Sequence, residues 1–333
     1  MSLHLIAIES SCDDTSASVI TDGLVVSNVT YSQVEHDQYG GVVPEVASRA
    51  HIERILPVVD TAIKKAGITA NDLAAIAFTR GPGLMGSLLV GVSFAKGMAL
   101  GLNIPMIEVN HVMAHVMAHF IDEPKPKFPF LCLTVSGGHT QIVLVSNYLD
   151  MKVIGTTLDD AAGEAFDKTG KMLGLGYPAG KFVDQQAELG QPKYPFPIAQ
   201  VPDLNFSFSG LKTSVMRFLE KETKLNPDFI QQNLPDICAS VQACILDSLL
   251  LKLRKAAKEH NIKEIAIAGG VSANKGLRLK LEEFGKKYHW NTYIPQFEYC
   301  TDNAAMIAIT AWYKYQNQDF VGHDVTPMPR YHF

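Results

Sequence analysis

At 333 residues the chain exceeds the size at which one core stops growing, roughly 250–300 residues, so two domains are expected. Hydrophobic residues at 47% against 19% charged exclude a disordered or low-complexity protein and leave ample apolar side chain for a core. The net charge of −5 excludes a generically basic nucleic-acid coat but not a local basic patch.

In chain order, short apolar β-rich runs predict strands over 3–8, 17–20, 74–78, 131–135, 141–145 and 264–268. Helical patterning predicts helices over 44–66, 87–101, 159–173, 209–222, 234–261, 273–284 and 303–315. The alternation argues an α/β fold. The N-terminus lacks a basic segment and a long apolar run, so no signal peptide is expected. The most apolar stretch, 84–102, is interrupted by Lys96 and glycines and reads as a buried helix rather than a span, which takes about 20 apolar residues. No membrane association and a cytoplasmic location are expected. Five cysteines without a CxxC pair argue against a disulfide framework and a thiolate zinc site.

A weak internal repeat is visible. Residues 5–20 run strand, hydroxyl-rich loop, strand, and residues 131–145 do the same. The Pro-rich segment 123–129 marks a linker between the halves. The expected division is an N-terminal lobe over 1–112 and a C-terminal lobe over 113–333, with the final helix, near 303–318, packing back toward the first lobe.

Several segments can carry chemistry. His111 and His115 stand at i and i+4, where two imidazoles on one helix face can reach one ion; His119 continues the row. The alternative is a pair of surface histidines. A zincin protease would need Glu after the first His, and Val112 is there. Residues 135–140 (VSGGHT) pair two glycines with hydroxyls, which lets backbone N–H groups approach an anion, though a plain turn looks similar. Residues 266–274 (AIAGGVSAN) run strand, Gly-Gly, helix start, with Ser272 placed to cap the helix and Asn274 able to read a ribose or base edge. Asp160, Glu164 and Asp167 are spaced to share a helix face. Asp302 is either a helix cap or a carboxylate that completes a metal site. Basic residues cluster at 252–258 and 275–287, as solvated faces or a nucleic-acid surface.

Taken in order, residues 9–15 (ESSCDDT), 40–51 (GGVVPEVASRAH), 81–84 (GPGL), 110–115 (NHVMAH), 135–140, 159–168 (DDAAGEAFDK), 205–213 (NFSFSGLKT), 269–274 and 301–304 (TDNA) resemble the tRNA N6-adenosine threonylcarbamoyltransferase family of bacterial TsaD type. The resemblance implies a duplicated two-lobe actin-like ATPase fold, shared with sugar kinases and heat-shock chaperones, with a nucleotide cleft between lobes. It implies a divalent metal, Fe²⁺ ahead of Zn²⁺, on His111, His115 and Asp302. It implies a substrate site at Thr134, Val135, Ser136, Gly137, Gly138, Asp167, Gly180, Asp184 and Asn274. The implied reaction transfers threonylcarbamoyl from its adenylate to a tRNA anticodon-loop adenosine, with Asp13 or Asp14 as the base. Implied partners are a TsaB-type paralogue and a TsaE-type P-loop ATPase. An actin-fold small-molecule kinase is the rival reading; a metalloprotease is disfavoured.

Overall fold

The computed structural model describes residues 2–33, 36 and 39–331. The chain divides into two compact units: residues 1–125, 147–151 and 295–333 in the first, residues 126–146 and 152–294 in the second. The main division thus falls at 125/126 rather than the expected 112.

The first unit holds β1 (His4–Glu9), β2 (Asp14–Thr21), β3 (Leu24–Ser32), α1 (Pro44–Lys65), β4 (Leu73–Gly81), α2 (Met85–Leu102), β5 (Met106–Asn110) and α3 (His111–Met117). Most of the second comprises β6 (Phe130–Val135), β7 (Thr140–Asn147), β8 (Asp150–Thr156), α4 (Ala162–Met172), α5 (Gly180–Ala187), α6 (Ser209–Leu225), α7 (Phe229–Glu259), β9 (Glu264–Ala268), α8 (Lys275–Tyr288) and β10 (Asn291–Tyr293). The chain then returns to the first unit with α9 (Ala304–Gln316).

Each unit is built on one five-stranded sheet, ordered β3-β2-β1-β4-β5 and β10-β9-β6-β7-β8. The two orders are the same topology: an antiparallel hairpin, a third strand beside its outer arm, then two parallel strands on the other side. The sequence repeat is therefore a structural duplication. The central strands are near-continuous apolar runs because both sheet faces are covered. Leu5 through Ile8 are fully buried, as are Leu131 through Leu133. In the first unit α1 and α2 pack with β2 and β4, and α9 lies against β1 and β2. Ile8, Val19, Phe78 and Val92 meet in its core; Phe166, Ile245 and Leu249 anchor the core of the second.

Four strands were not anticipated: β3, β5, β8 and β10. All are sheet edges. β3, β8 and β10 have mixed burial and so lack the apolar run that betrays a central strand, whereas β5 is mostly buried but only five residues long and interrupted by Glu108. Two helices, α2 and α7, are apolar and long enough to cross a membrane by length and composition. Each buries a face in its unit's core: Leu88, Val92 and Ala95 of α2; Ile245, Leu249 and Leu253 of α7.

Candidate active site

In the first unit β5 runs directly into α3. Asn110 accepts hydrogen bonds from the backbone N–H groups of Val112 and Met113, which caps the helix and fixes His111 as its first residue. His115 follows one turn later on the same face. The two rings meet edge to face, with centroids 4.8 Å apart. Asp302 arrives from the other end of the sequence, and its Oδ1 lies 3.3 Å from His111 Nε2 and 3.2 Å from His115 Nε2. Each of these three residues offers a ligand atom, all within 4.8 Å of one another. The helix-cap alternative for Asp302 does not hold: Asn303 caps α9 by accepting from the Met306 N–H, which leaves the Asp302 carboxylate for the histidines.

Glu9 lies behind this cluster with no exposed surface. Its Oε2 accepts from His111 Nδ1 at 2.9 Å and from the Thr79 hydroxyl at 2.6 Å; its Oε1 accepts from the Ser11 N–H at 2.5 Å. A carboxylate on Nδ1 leaves the Nε2 lone pair for a cation, the usual carboxylate–histidine–metal arrangement. Burial opposes ionisation of Glu9, but the His111 imidazole outweighs it and holds the carboxyl below its ordinary range. Asp302 is likewise held low against burial by His111 and His115. For His111 burial works the other way, yet Asp302 and Glu9 raise its pKa well above the ordinary value. His115 Nδ1 is buried without a hydrogen-bond partner among the described residues. Two imidazoles, one carboxylate and a buried orienting carboxylate fit a divalent transition metal.

Asp13 and Asp14 sit at the hairpin turn after β1, and the turn is held from several sides. His51 of α1 is fully buried; its Nε2 donates to the Cys12 carbonyl at 2.9 Å and its Nδ1 accepts from the Thr15 hydroxyl at 2.7 Å. Burial lowers its pKa, so the ring is neutral at pH 7. The Ser87 hydroxyl of α2 donates to the same carbonyl at 2.9 Å. The Leu84 N–H donates to the Ser11 carbonyl at 2.8 Å, and a side chain at Gly83 would strike that carbonyl. Burial, then the negative charge of Asp302, raises Asp14 to about 7, where a carboxyl can exchange protons at neutral pH. His51→Ala is expected to lower kcat/KM roughly tenfold or more, since small misplacements of reacting groups can cost up to about 100-fold. Metal content measured by plasma mass spectrometry should stay unchanged. His51→Gln, which can still donate to Cys12, should recover part of the loss; an unaltered kcat/KM in His51→Ala would remove this role.

In the second unit the β6–β7 turn is closed by the Ser136 N–H donating to the His139 carbonyl at 2.8 Å and by Ser136 Oγ accepting from the His139 N–H at 3.0 Å. Gly137 and Gly138 are exposed, and a side chain at either would meet nothing within 4 Å. Open space faces their backbone. Thr134 is buried, its hydroxyl near Cys132 Sγ. Val135 is buried too, and its carbonyl lies where a side chain on Gly269 would be, 2.5 Å away at a φ of +84°. Only glycine fits there, so the β6 and β9 turns are locked together.

The turn after β9 differs from expectation. A short 3₁₀ segment, Gly270–Ala273, precedes α8, and Asn274 rather than Ser272 caps that helix, accepting from the Leu277 N–H at 2.8 Å. Ser272 Oγ is buried without a partner among the described residues. The Asn274 amide donates to Gln242 Oε1 at 2.8 Å. Asp184 joins the same helix start, accepting from the Lys275 N–H at 2.8 Å. Asp167 accepts from the Ala179 N–H at 2.8 Å and the Gly180 N–H at 3.3 Å, which ties α4 to the start of α5. Its carboxyl is raised by burial against those two bonds. Asp160 precedes α4, so it does not share a helix face with Glu164 and Asp167; it pairs with Lys168 at 2.6 Å. Sequence reasoning gave no roles to Glu9 and His51. The signal for Glu9 was a lone carboxylate closing the apolar run of β1.

The duplicated sheets define the actin-like ATPase and sugar-kinase class of fold. The chain covers 97% of itself and 49% of a HypF structure from T. kodakarensis at a TM-score of 0.65 and 13% identity. It covers 95% of itself and 99% of the Acidaminococcus fermentans (R)-2-hydroxyglutaryl-CoA dehydratase component A at 0.54 and 16% identity. Curated relatives called tRNA N6-adenosine threonylcarbamoyltransferase include one from Phocaeicola vulgatus, 60% identical with 96% of each chain covered, and one from Cytophaga hutchinsonii, 56% identical over 99% of this chain and 96% of that one. Residues 24–309 match the family model described as TsaD, tRNA N6-adenosine threonylcarbamoyltransferase, and the chain belongs to that family.

Proposed function

We propose that this chain transfers the threonylcarbamoyl group from threonylcarbamoyl-adenylate to N6 of the adenosine 3′-adjacent to the anticodon in tRNAs reading ANN codons, releasing AMP. The observation that carries the reading is the single family match over 24–309, which takes in both the histidine–aspartate cluster and the Gly137–Gly138 turn. In the reaction the N6 amine attacks the carbamoyl carbon, the bond from that carbon to the adenylate phosphate oxygen breaks, and the amine gives up a proton. The exposed backbone N–H groups of Gly137 and Gly138 are suited to the phosphate. Thr134, Val135, Ser136, Asp167, Gly180, Asp184 and Asn274 shape that side; Asp167, Asp184 and Asn274 do so by fixing α5 and α8. Asp14 or Asp13 would serve as the base, and the raised pKa of Asp14, about 7, supports Asp14. The base to be modified must be unstacked, as anticodon-loop bases are.

His111, His115 and Asp302 would hold one divalent metal. A two-histidine, one-carboxylate set with open positions favours Fe²⁺, with Zn²⁺ the alternative. Such an ion supplies Lewis-acid polarisation of a substrate oxygen.

A TsaB-type paralogue and a TsaE-type P-loop ATPase complete the system, acting with tRNA in the cytoplasm. An exposed apolar groove of about 520 Å³ between α1 and α2, edged by Ile52, Leu56 and Leu89, is the kind of surface a protein partner covers. A protease reading lacks its general base at Val112.

The test is nucleoside analysis of unmodified tRNA incubated with the protein, its partners and threonylcarbamoyl-adenylate. Modified adenosine should appear and should vanish with His111→Ala/His115→Ala. No modification by the wild-type protein would overturn the reading.

A further inference from the structure

The chain carries 34 acidic against 29 basic side chains, yet one groove of the second unit has only cations among its charged lining residues. Where α7 ends and β9 begins, a groove of about 780 Å³ is lined by Lys252, Arg254, Lys255, Lys258 and Lys263, with Tyr288 and Trp290 as its aromatic wall and no acidic residue in its lining.

These cations divide into two sets. Lys252 donates to the carbonyls of Val201 and Asp203 at 2.8 Å each, and Lys255 donates to Asp203 at 3.2 Å and pairs with Glu259 at 3.7 Å. They build the floor. Arg254, Lys258 and Lys263 are exposed and, among the described residues, pair with no carboxylate. Arg254 donates one N–H to the Tyr288 hydroxyl at 3.0 Å and sits 5.7 Å from that ring's centre, which anchors its guanidinium at the groove. Lys258 follows four residues later, about 6 Å along the axis. Tyr288 and Trp290 are themselves paired, 5.4 Å between centroids. A lining whose charged side chains are all cationic, with Glu259 paired to Lys255 at its border, beside aromatic rings matches a polyanion of regular phosphates. An acidic protein surface, with irregular carboxylates, would be met by mixed charge and more apolar area.

We propose that this groove docks the phosphodiester backbone of the tRNA, away from the base that is modified. The proposal rests on the tRNA reading above and says which surface grips the substrate. The groove opens at the Lys263 end of β9, whereas the Gly269–Gly270 turn lies at the other end, about 20 Å away at strand rise. Its residues therefore contribute to binding and not to the chemical step.

The experiment compares Arg254→Ala/Lys258→Ala/Lys263→Ala with wild type and with a charge control, Lys221→Ala/Lys224→Ala on α6, in equilibrium titrations of unmodified tRNA at several salt concentrations. The triple variant should lose roughly tenfold or more in affinity, and its salt slope should drop by about 2 to 3, one phosphate contact per cation. Its KM for tRNA should rise with kcat unchanged, while its melting curve and the control variant match wild type. Unchanged affinity and slope overturn the proposal, as does an equal loss in the control. Loss of binding to a purified protein partner with tRNA affinity intact assigns the groove to that partner and also overturns it. If the triple variant loses tRNA affinity while wild type forms no modified nucleoside, the groove stands and the transferase reading falls. If wild type modifies tRNA and the triple variant binds it equally well, only the groove falls.

Discussion

If the cluster holds the proposed divalent metal, Asp302→Ala is expected to bind that ion at least roughly 100-fold more weakly than wild type, beyond the 10–100-fold that loss of an orienting partner costs. The variant removes the carboxylate that lies 3.3 Å and 3.2 Å from the two Nε2 atoms. Metal titration with content read by plasma mass spectrometry checks it, and full occupancy in Asp302→Ala would remove Asp302 from the ligand set. Glu9→Gln should be milder, about 10–100-fold, because the amide oxygen can still accept from His111 and Thr79 while its NH₂ faces the Ser11 N–H donor. Binding should also weaken on acidification. A metal needs neutral imidazole, and in the metal-free protein Asp302 and Glu9, against burial, keep a proton on His111 above its ordinary pKa. Protons therefore compete for the site already near neutrality, and affinity rises with pH through that elevated value.

The same charges set the stability of the metal-free protein. His111, raised on folding, stabilises fully below its unfolded pKa of about 6.5 and loses this as pH rises through the folded value. Glu9 and Asp302, lowered on folding, stabilise above about 4 and lose this as pH falls through their folded values. The cluster favours the fold most between these limits, and chemical denaturation at several pH values reads the window.

Gly163→Ala should lower kcat/KM by roughly 10–100-fold without touching any group that reacts. Gly163 opens α4, and a side chain there would lie 2.6 Å from the Ser136 carbonyl oxygen and 2.8 Å from the Gly137 nitrogen. Both neighbours are backbone, so the turn itself must move. The expected stability loss is about 1–3 kcal/mol, the usual cost of overpacking. Gly138→Ala is the complementary variant. It meets nothing within 4 Å, so its melting temperature should match wild type while adenylate affinity falls if a phosphate approaches there. Calorimetric titration with AMP separates the two effects. Wild-type affinity in both variants would remove the turn from the phosphate site.

The sequence pattern reached the central strands and most of the helices because each repeats its apolar residues at a fixed period over several turns or strand steps. It missed the edge strands: β3, β8 and β10 because their burial is mixed, β5 because it is short and broken by Glu108. Ligand pairing within one helix was readable, as His111 and His115 demonstrate. Caps were readable as a type but not as a position: at both Ser272/Asn274 and Asp302/Asn303 the asparagine took the cap. A one-residue error there decides whether a carboxylate is consumed by a helix or left for a cation. The contacts of Glu9 and His51 reach residues up to 102 positions away and are invisible to local pattern.

The duplication carries a consequence in its two hairpin turns. They occupy equivalent places in identical sheet topologies, after β1 and after β6. One has become acidic, with Glu9, Asp13 and Asp14 around it; the other holds no acidic residue between Val135 and Thr140 and bares its glycine backbone. Equivalent turns thus differ in polarity, one suited to cations and one to anions. Exchanging the two turn sequences would put carboxylates where the bare glycine backbone stands, although the strand order around them is the same.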